Sequence, residues 1–278
     1  MNNCKICNNT TEKVFQTRIL YKYDVDYFQC SNCKFVQTEH PYWLEEAYQN
    51  PMNLTDTGIM LRNSRSSKIV TSIIVLFFNK NYKFIDYAGG YGVFTRLMRD
   101  IGFDFYWIDP YTKNLLSRGF EQQNNIKYDV VTTFESFEHF EEPLKEIENI
   151  FKISKNVIFS TELVPDKLPN PESWWYYGTE HGQHIALYTK KAFEFIANKY
   201  DVQYYNVSNL HVFSEKKLNS LSAFFLGFKY SKHLLYFLSY PIQLFLKSKT
   251  MTDMEDLKIK NNIISNENNI REYNLLEY

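Results

Sequence analysis

The chain has 278 residues, with 31 basic against 32 acidic side chains. That length holds one full α/β domain with appendages, and the balanced charge offers no field to recruit nucleic acid or an acidic membrane surface. The aromatic content of 18% fits either a Tyr/Phe-rich core or stacking surfaces for sugars and bases.

Met1 to Lys5 is polar and carries no apolar signal segment, which predicts a cytoplasmic protein. All four cysteines follow closely, as Cys4-x-x-Cys7 and Cys30-x-x-Cys33. Two such knuckles make an S4 cage that Zn2+ accepts, and four protein ligands leave no open position, so the expected metal is structural. Disulfide pairing is the alternative, against which a reducing compartment argues. The stretch Val14 to Phe28 alternates enough for one or two short strands, and Tyr27 onward runs as a strand into the second knuckle. The pattern is a small zinc ribbon. Residues 1–50 carry five basic and six acidic side chains, so the ribbon lacks the basic stripe that phosphate binding needs. It is expected to cover the substrate side of a catalytic domain or to cap a sheet edge.

His40 to Tyr48 is a connector opening a helix. Asp56-Thr57-Gly58 and Arg62-Asn63 precede an apolar-periodic helix over Ser64 to Phe78. Tyr48 and Arg62 are either packing residues or contacts to substrate or cofactor.

Phe84-Ile85-Asp86-Tyr87-Ala88-Gly89-Gly90-Tyr91-Gly92, followed by a helical pattern over Val93 to Arg99, predicts strand, tight glycine turn and helix. Glycine at 90 and 92 lets the chain bend and a ligand approach the main chain, and the helix start adds free N–H groups. A glycine turn before an ordinary core helix is the plainer explanation. The run is not GxGxxG, because Thr95 stands where the third glycine belongs, which counts against a dinucleotide fingerprint. The next apolar run, Phe103 to Ile108, closes on Asp109-Pro110, and Asp109 lies 23 residues past Asp86. An acid there suits a ribose diol. Asp86 could face the cationic, amino-acid end of a ligand. A helical stretch is expected over Thr112 to Phe120, with a third strand reduced to Ile126-Lys127 or missing. The fourth strand, Val130 to Phe134, ends in Glu135-Ser136-Phe137-Glu138-His139.

Asp86-x-Ala88-x-Gly90-x-Gly92, then Asp109, then Tyr128 to Glu135 resembles a class I S-adenosylmethionine-dependent methyltransferase. That family usually carries glycine where Ala88 stands. The resemblance covers residues 80 to 213. It implies that the turn Asp86, Ala88, Gly89, Gly90 and Gly92 passes the methionine part of the cofactor. It implies that Asp109, with Pro110, holds the ribose, and that Glu135 lies nearby. The two Cys-x-x-Cys pairs, Pro-Tyr-Trp-Leu-Glu-Glu-Ala-Tyr, Asp-Thr-Gly and Arg-Asn also resemble the zinc-containing methyltransferases of bacterial surface-glycan and deoxysugar pathways.

Ligands sit at the carboxyl ends of parallel strands, which places Glu138 and His139 at the substrate mouth. Alternatively, the two cap the helix that starts near Pro143. That helix, Leu144 to Phe151, leads to a fifth strand over Asn156 to Glu162. The loop Leu163 to Tyr177 is long for a compact domain, which marks function. It runs into Gly178-Thr179-Glu180-His181-Gly182-Gln183-His184. A metal site lacks a convincing fourth ligand, whereas general acid–base work suits an imidazole beside a carboxylate. A histidine bonding a loop carbonyl is the structural alternative. In the related sugar methyltransferases a Glu-His pair in this loop acts in catalysis. Glu180-His181 matches it, His181 is the favoured base, and His184 and His139 are further candidates.

A helix capped by Thr189 and a hairpin across Ser208-Asn209 close the domain. Leu218 to Leu246 is apolar and aromatic, and its longest uncharged run is too short to span a bilayer. Packing on the catalytic domain is expected, with a dimer surface or shallow membrane contact as alternatives. The tail from Asn261 is polar. The expected organisation is a zinc ribbon (1–45), a helical connector (46–80), a Rossmann-like methyltransferase domain with a six- or seven-stranded α/β sheet (81–214) and a helical C-terminal extension (215–278). The expected reaction is O- or C-methylation of a sugar on a nucleotide sugar or surface glycan. RNA methylation guided by the ribbon and a non-catalytic binding module are the competing readings.

Overall fold

The structure, a computed structural model, describes residues 3–49, 56–218, 226 and 230–260. The ribbon is built from β1 (Thr11–Ile19), β2 (Tyr23–Cys30) and β3 (Val36–Thr38), all antiparallel. Leu20, Tyr21 and Lys22 turn the first hairpin, with positive φ at Leu20 and Tyr21, 53° and 58°, and the Lys22 N–H donating to the Ile19 carbonyl at 3.0 Å. A short helix α1 (Leu44–Ala47) leads to α2 (Ile59–Phe77), which starts five residues earlier than its apolar pattern alone predicts.

The central sheet contains β4 (Lys83–Tyr87), β5 (Asp104–Ile108), β6 (Val130–Phe134) and β7 (Val157–Ser160) in parallel. Helices α3 (Val93–Ile101) and α4 (Pro143–Ile153) link them. After β7 come β8 (Ala186–Leu187), helix α5 (Lys190–Tyr200) and the hairpin β9 (Gln203–Val207) and β10 (Leu210–Ser214). The order β5-β4-β6-β7-β10-β9 makes a mixed sheet of six strands, the smaller of the two counts expected. β8 leaves this sheet and pairs with β3, so the ribbon sheet runs β1-β2-β3-β8. The ribbon is thereby stitched to the loop that follows β7.

Of the two outcomes expected for the third strand, the structure shows the missing one, and the helix expected over Thr112 to Phe120 is absent. The backbone and side chains of that segment are committed elsewhere. Leu115 and Leu116 donate their N–H groups to the Tyr91 carbonyl, and Ser117 Oγ donates to the Gly92 carbonyl. The chain then touches the sheet edge only as a parallel bridge between Trp107 and Glu121.

One face of the sheet packs Phe84, Phe105, Phe94 and Met98 against Ile69, Val70, Ile73 and Ile74 of α2. The other packs Val131, Val157 and Phe159 against Ile147 of α4 and Phe193 and Ile196 of α5. Helix α6 (Ser231–Gln243) lies on α2, burying Leu235. The Leu235 carbonyl accepts Ser72 Oγ at 2.6 Å. This is the expected packing of the apolar C-terminal run, although Phe237, Leu244 and Phe245 stay exposed. Helix α7 (Thr250–Lys260) docks on α3 through the buried Asp253, which accepts two bonds from Arg99 and one from Arg96. No described helix is long and apolar enough to cross a membrane. The polar tail from Asn261 lies outside the described residues.

Candidate active site

The carboxyl ends of β4, β5, β6 and β7 open into a cleft of about 1980 Å3. One end is the glycine turn. Ala88 (φ 55°), Gly90 (φ 54°) and Gly92 (φ 83°) all take left-handed backbone, which is costly for alanine and free for glycine. Gly89 is glycine for a different reason. A Cβ there would stand 2.7 Å from Trp107 Cδ1 and 2.9 Å from Asp86 Oδ2. Gly90 has nothing within 4 Å of a Cβ position, so its backbone faces open cleft. Trp107 Nε1 donates to the Gly90 carbonyl at 2.9 Å, and the Gly90 N–H donates to Asp109 Oδ2 at 2.9 Å. The other Asp109 oxygen accepts the N–H groups of Tyr111 and Thr112. The acid after β5 is therefore clamped to the turn after β4, and Pro110 beside it is exposed.

Asp86 is 2% exposed at the cleft wall. Thr132 Oγ1 donates to one oxygen at 2.8 Å and Thr95 Oγ1 to the other at 3.3 Å. Burial pushes its pKa up to about 7 against these two hydrogen bonds. Glu135 takes left-handed backbone (φ 49°), and Ser160 Oγ bridges its N–H and its carboxylate.

The other end of the cleft is a row of histidines. The ring of His184 lies 5.0 Å from that of His139 and 4.7 Å from that of His181. Glu138 and His139 sit in a 3-10 turn, while α4 starts at Glu142 and Pro143 without a side-chain cap. The capping alternative therefore falls. His139 Nδ1 lies 3.1 Å from the Gln183 carbonyl and 3.0 Å from Tyr48 OH. His184 Nδ1 lies 2.6 Å from the Tyr176 carbonyl. A carbonyl only accepts, so both rings carry their proton on Nδ1 and keep the lone pair on Nε2, with the Glu135 main chain also against the His139 ring. His181 is the reverse: its Nδ1 accepts the Gln183 N–H at 3.1 Å, so its neutral ring carries the proton on Nε2. Among the described residues no hydrogen bond joins Glu180 to His181, and Glu180 is exposed. Its charge acts at a distance, raising the His181 pKa against a larger lowering by burial. Burial also drives the pKa of His139 down to about 4 and that of His184 well below the usual range. All three imidazoles are neutral at neutral pH.

The sequence alone left two groups out of the catalytic candidates. Glu138 is fully buried behind the histidines, and no well-formed hydrogen bond reaches either carboxyl oxygen. Burial and then the Glu135 charge push its pKa up to about 8, with the Tyr176 and Thr161 hydroxyls alongside pulling the other way. Its place beside His139 at a strand end was the available signal. Trp43 is the second. Its indole Nε1 donates to the Gly182 carbonyl at 2.8 Å, Leu20 N donates to the Thr179 carbonyl at 2.8 Å, and Gln183 Nε2 donates to the Ala47 carbonyl at 2.8 Å. The ribbon and connector thus hold the histidine loop. Arg62 makes a bidentate pair with Asp56 on the cleft wall.

The four cysteine sulfurs lie within 4.8 Å of one another. Cys4 to Cys33 is 3.6 Å and Cys7 to Cys30 is 3.3 Å, well beyond the roughly 2.05 Å of a disulfide. The N–H groups of Ile6 and Asn32 point at the sulfurs of Cys4 and Cys30, as thiolates require. The cluster could hold a metal ion.

No curated protein matches this chain. Among solved structures it is similar to the magnesium protoporphyrin IX methyltransferase of Synechocystis PCC 6803 with bound SAH, at 15% identity over 62% of this chain and 92% of that one, with a TM-score of 0.43. It is similar to the plantazolicin methyltransferase BpumL in complex with SAH, at 17% identity over 70% and 89%, with a TM-score of 0.45. An O-methyltransferase family protein from Burkholderia thailandensis shares 17% identity over 63% and 68%, with a TM-score of 0.41. Residues 61–207 match the family described as a methyltransferase domain. That match spans more than half of the 278 residues, and the chain belongs to this family as a class I S-adenosylmethionine-dependent methyltransferase.

Proposed function

We propose that the acceptor is a sugar, methylated at a hydroxyl oxygen or at a carbon next to a keto group, on a nucleotide-linked sugar or a surface glycan. The observation that carries this reading is the cleft lining, which three neutral histidines share with Tyr48, Trp174 and the largely exposed Trp175, the Tyr48 ring lying beside that of His139. Aromatic faces suit the apolar side of a sugar ring, and neutral imidazoles suit its hydroxyls.

S-adenosylmethionine supplies a methyl group already activated on a sulfonium. The chain's own task is then alignment and proton handling. Asp109 would take the ribose hydroxyls, the open backbone at Gly90 the methionine part, and Asp86 and Glu135 the region between turn and acceptor. Ala88, Gly89 and Gly92 shape that turn. The tautomer of His181 makes its Nε2–H a donor to an acceptor oxygen, which departs from its expected part as the base. Proton removal falls to the row as a whole, where His139 and His184 hold the bare nitrogens. Glu180 keeps the loop's charge negative at its rim.

The cysteine cluster would hold Zn2+ as a closed, structural S4 site. Its role is to fix the ribbon, which in turn holds the histidine loop. The ribbon's near-neutral charge supports a sugar acceptor over RNA.

The test is a two-step measurement. Calorimetric titration should give micromolar binding of S-adenosylmethionine that Asp109→Ala abolishes. A screen of nucleotide sugars for methyl acceptance should then find a substrate whose turnover drops at least about tenfold in His181→Ala with cofactor affinity intact. A smaller loss would sink the role of His181, and no acceptance of any sugar would sink the sugar reading.

A further inference from the structure

Glu138, His139 and His184 come from two chain segments, the ends of the loops that follow β6 and β7. Their ligand-capable atoms lie within 4.8 Å of one another. Three features of this group are hard to explain by packing alone. Glu138 is fully buried, no well-formed hydrogen bond reaches either carboxyl oxygen, and its polar neighbours are the Tyr176 and Thr161 hydroxyls, which already pair with each other at 2.9 Å. A buried carboxyl group with so little polar support costs free energy that a native fold does not carry without a reason. Second, both histidines have Nδ1 anchored on a main-chain carbonyl, of Gln183 and of Tyr176. That anchoring leaves the lone pair on Nε2, the arrangement that metal-bound histidines adopt through their outer hydrogen bonds, although the Glu135 main chain also lies against the His139 ring. Third, His139 and His184 line the cleft while Glu138 closes it from behind. An ion held there would keep open coordination positions on the cleft side.

We propose that Glu138, His139 and His184 form a second metal site, distinct from the cysteine cluster, which takes a divalent transition-metal ion on two imidazoles and one carboxylate. The donor set selects the metal class. Imidazole suits Zn2+, Fe2+, Co2+ and Ni2+, and a two-His, one-carboxylate face leaves positions free for an outside ligand. An ion bonded at about 2.1 Å to each ligand draws the three atoms together by small side-chain rotations. Charge also fits. Two neutral imidazoles and one carboxylate leave a net positive centre, which attracts an oxygen ligand from the cleft. The site stands on these residues alone and holds whether or not the acceptor is a sugar; an ion on the two Nε2 atoms would take them out of their proton-accepting part.

The test needs neither cofactor nor acceptor. Full-length protein with its cysteine cluster filled with zinc is titrated with Co2+, and metal content is counted by mass spectrometry. The expected result is one further equivalent of Co2+ showing the weak visible bands of nitrogen and oxygen ligation, without the intense near-ultraviolet charge-transfer band of a thiolate. Glu138→Gln keeps the shape of the side chain and removes the charge. His184→Asn keeps a donor for the Tyr176 carbonyl and removes the bare nitrogen. Each should weaken the second equivalent at least about tenfold, with the zinc count unchanged. Absence of a second equivalent overturns the proposal. So does an equivalent with a thiolate band, or one that Glu138→Gln binds as tightly as the unaltered protein. Circular dichroism checks the fold, and Glu138→Gln alone decides the outcome if His184→Asn does not fold.

Discussion

Trp43 hands its indole N–H to the carbonyl of Gly182 at 2.8 Å, joining positions 139 residues apart. The bond is buried, and Gly182 leaves no room for a side chain against Ile19, Leu20 and Trp43. The ribbon and connector therefore fix the loop that carries His181 and His184.

Trp43→Phe keeps most of the ring and removes the donor. The buried Gly182 carbonyl is then unpaired, at a cost of roughly 1–3 kcal/mol. Methyl-transfer turnover should fall several-fold while S-adenosylmethionine affinity stays within about twofold. A methyl-transfer assay and calorimetry measure the two effects separately, and chemical denaturation reads the stability cost. Equal losses in both would refute a role confined to the loop.

The cysteine cluster should behave in the same way. If the cluster holds Zn2+ as proposed, a chelator, or the substitution Cys33→Ser, should loosen the ribbon and with it the loop. Cys33 also anchors α5, because its carbonyl accepts Thr189 Oγ1 at 2.5 Å. Turnover should be lost before the central sheet unfolds, as tryptophan fluorescence and far-ultraviolet circular dichroism can follow. Coincident loss of both signals would show that the ribbon and the sheet fold as one unit.

The glycine turn gives opposite outcomes at neighbouring positions. Gly89→Ala places a methyl 2.7 Å from Trp107 Cδ1 and 2.9 Å from Asp86 Oδ2, so the turn must shift and cofactor affinity should drop at least about tenfold. Ala88→Gly relieves left-handed strain at φ 55° and should be neutral or stabilising by up to about 1 kcal/mol. Thermal melts with and without S-adenosylhomocysteine distinguish the two variants.

Two buried groups tilt stability with pH in opposite directions. The Asp86 pKa is raised to about 7, so the folded state holds a proton that the unfolded chain gives up near 3.8. Its contribution is present below that range and is lost as pH climbs through about 7. His211, bonded to the Thr161 carbonyl and to Tyr204, has its pKa lowered to about 4 by burial. Its contribution is present above 6.5 and is lost as pH falls through about 4. Asp86→Asn should flatten the alkaline arm of a melting-temperature profile, and His211→Gln the acidic arm. A profile unchanged in either variant would show that the pH dependence lies elsewhere.

The sequence by itself determined the elements whose signals are local. Four cysteines at two tight spacings place a metal-capable cluster. A strand, three glycines and a helix within a short run place the turn, and an acid closes the next strand. These features lie within one or two neighbouring elements, so no long-range information is needed. The helix expected at Thr112 to Phe120 failed because its hydrogen-bonding groups are drawn to the Tyr91 and Gly92 carbonyls, a competition that composition does not reveal. The missing third strand follows from the same segment. Only the tertiary structure decided which imidazoles meet. β6 and β7 are parallel neighbours, so the loops at their carboxyl ends must approach each other. Whether His139 then faces His184 depends on the path of the second loop, which Trp43, Leu20 and the β3–β8 pairing fix from outside the sheet. Those contacts also chose the tautomers. The main-chain carbonyls of Gln183 and Tyr176 left two nitrogens bare and the Gln183 N–H reversed the third ring, because each carbonyl accepts and each amide donates.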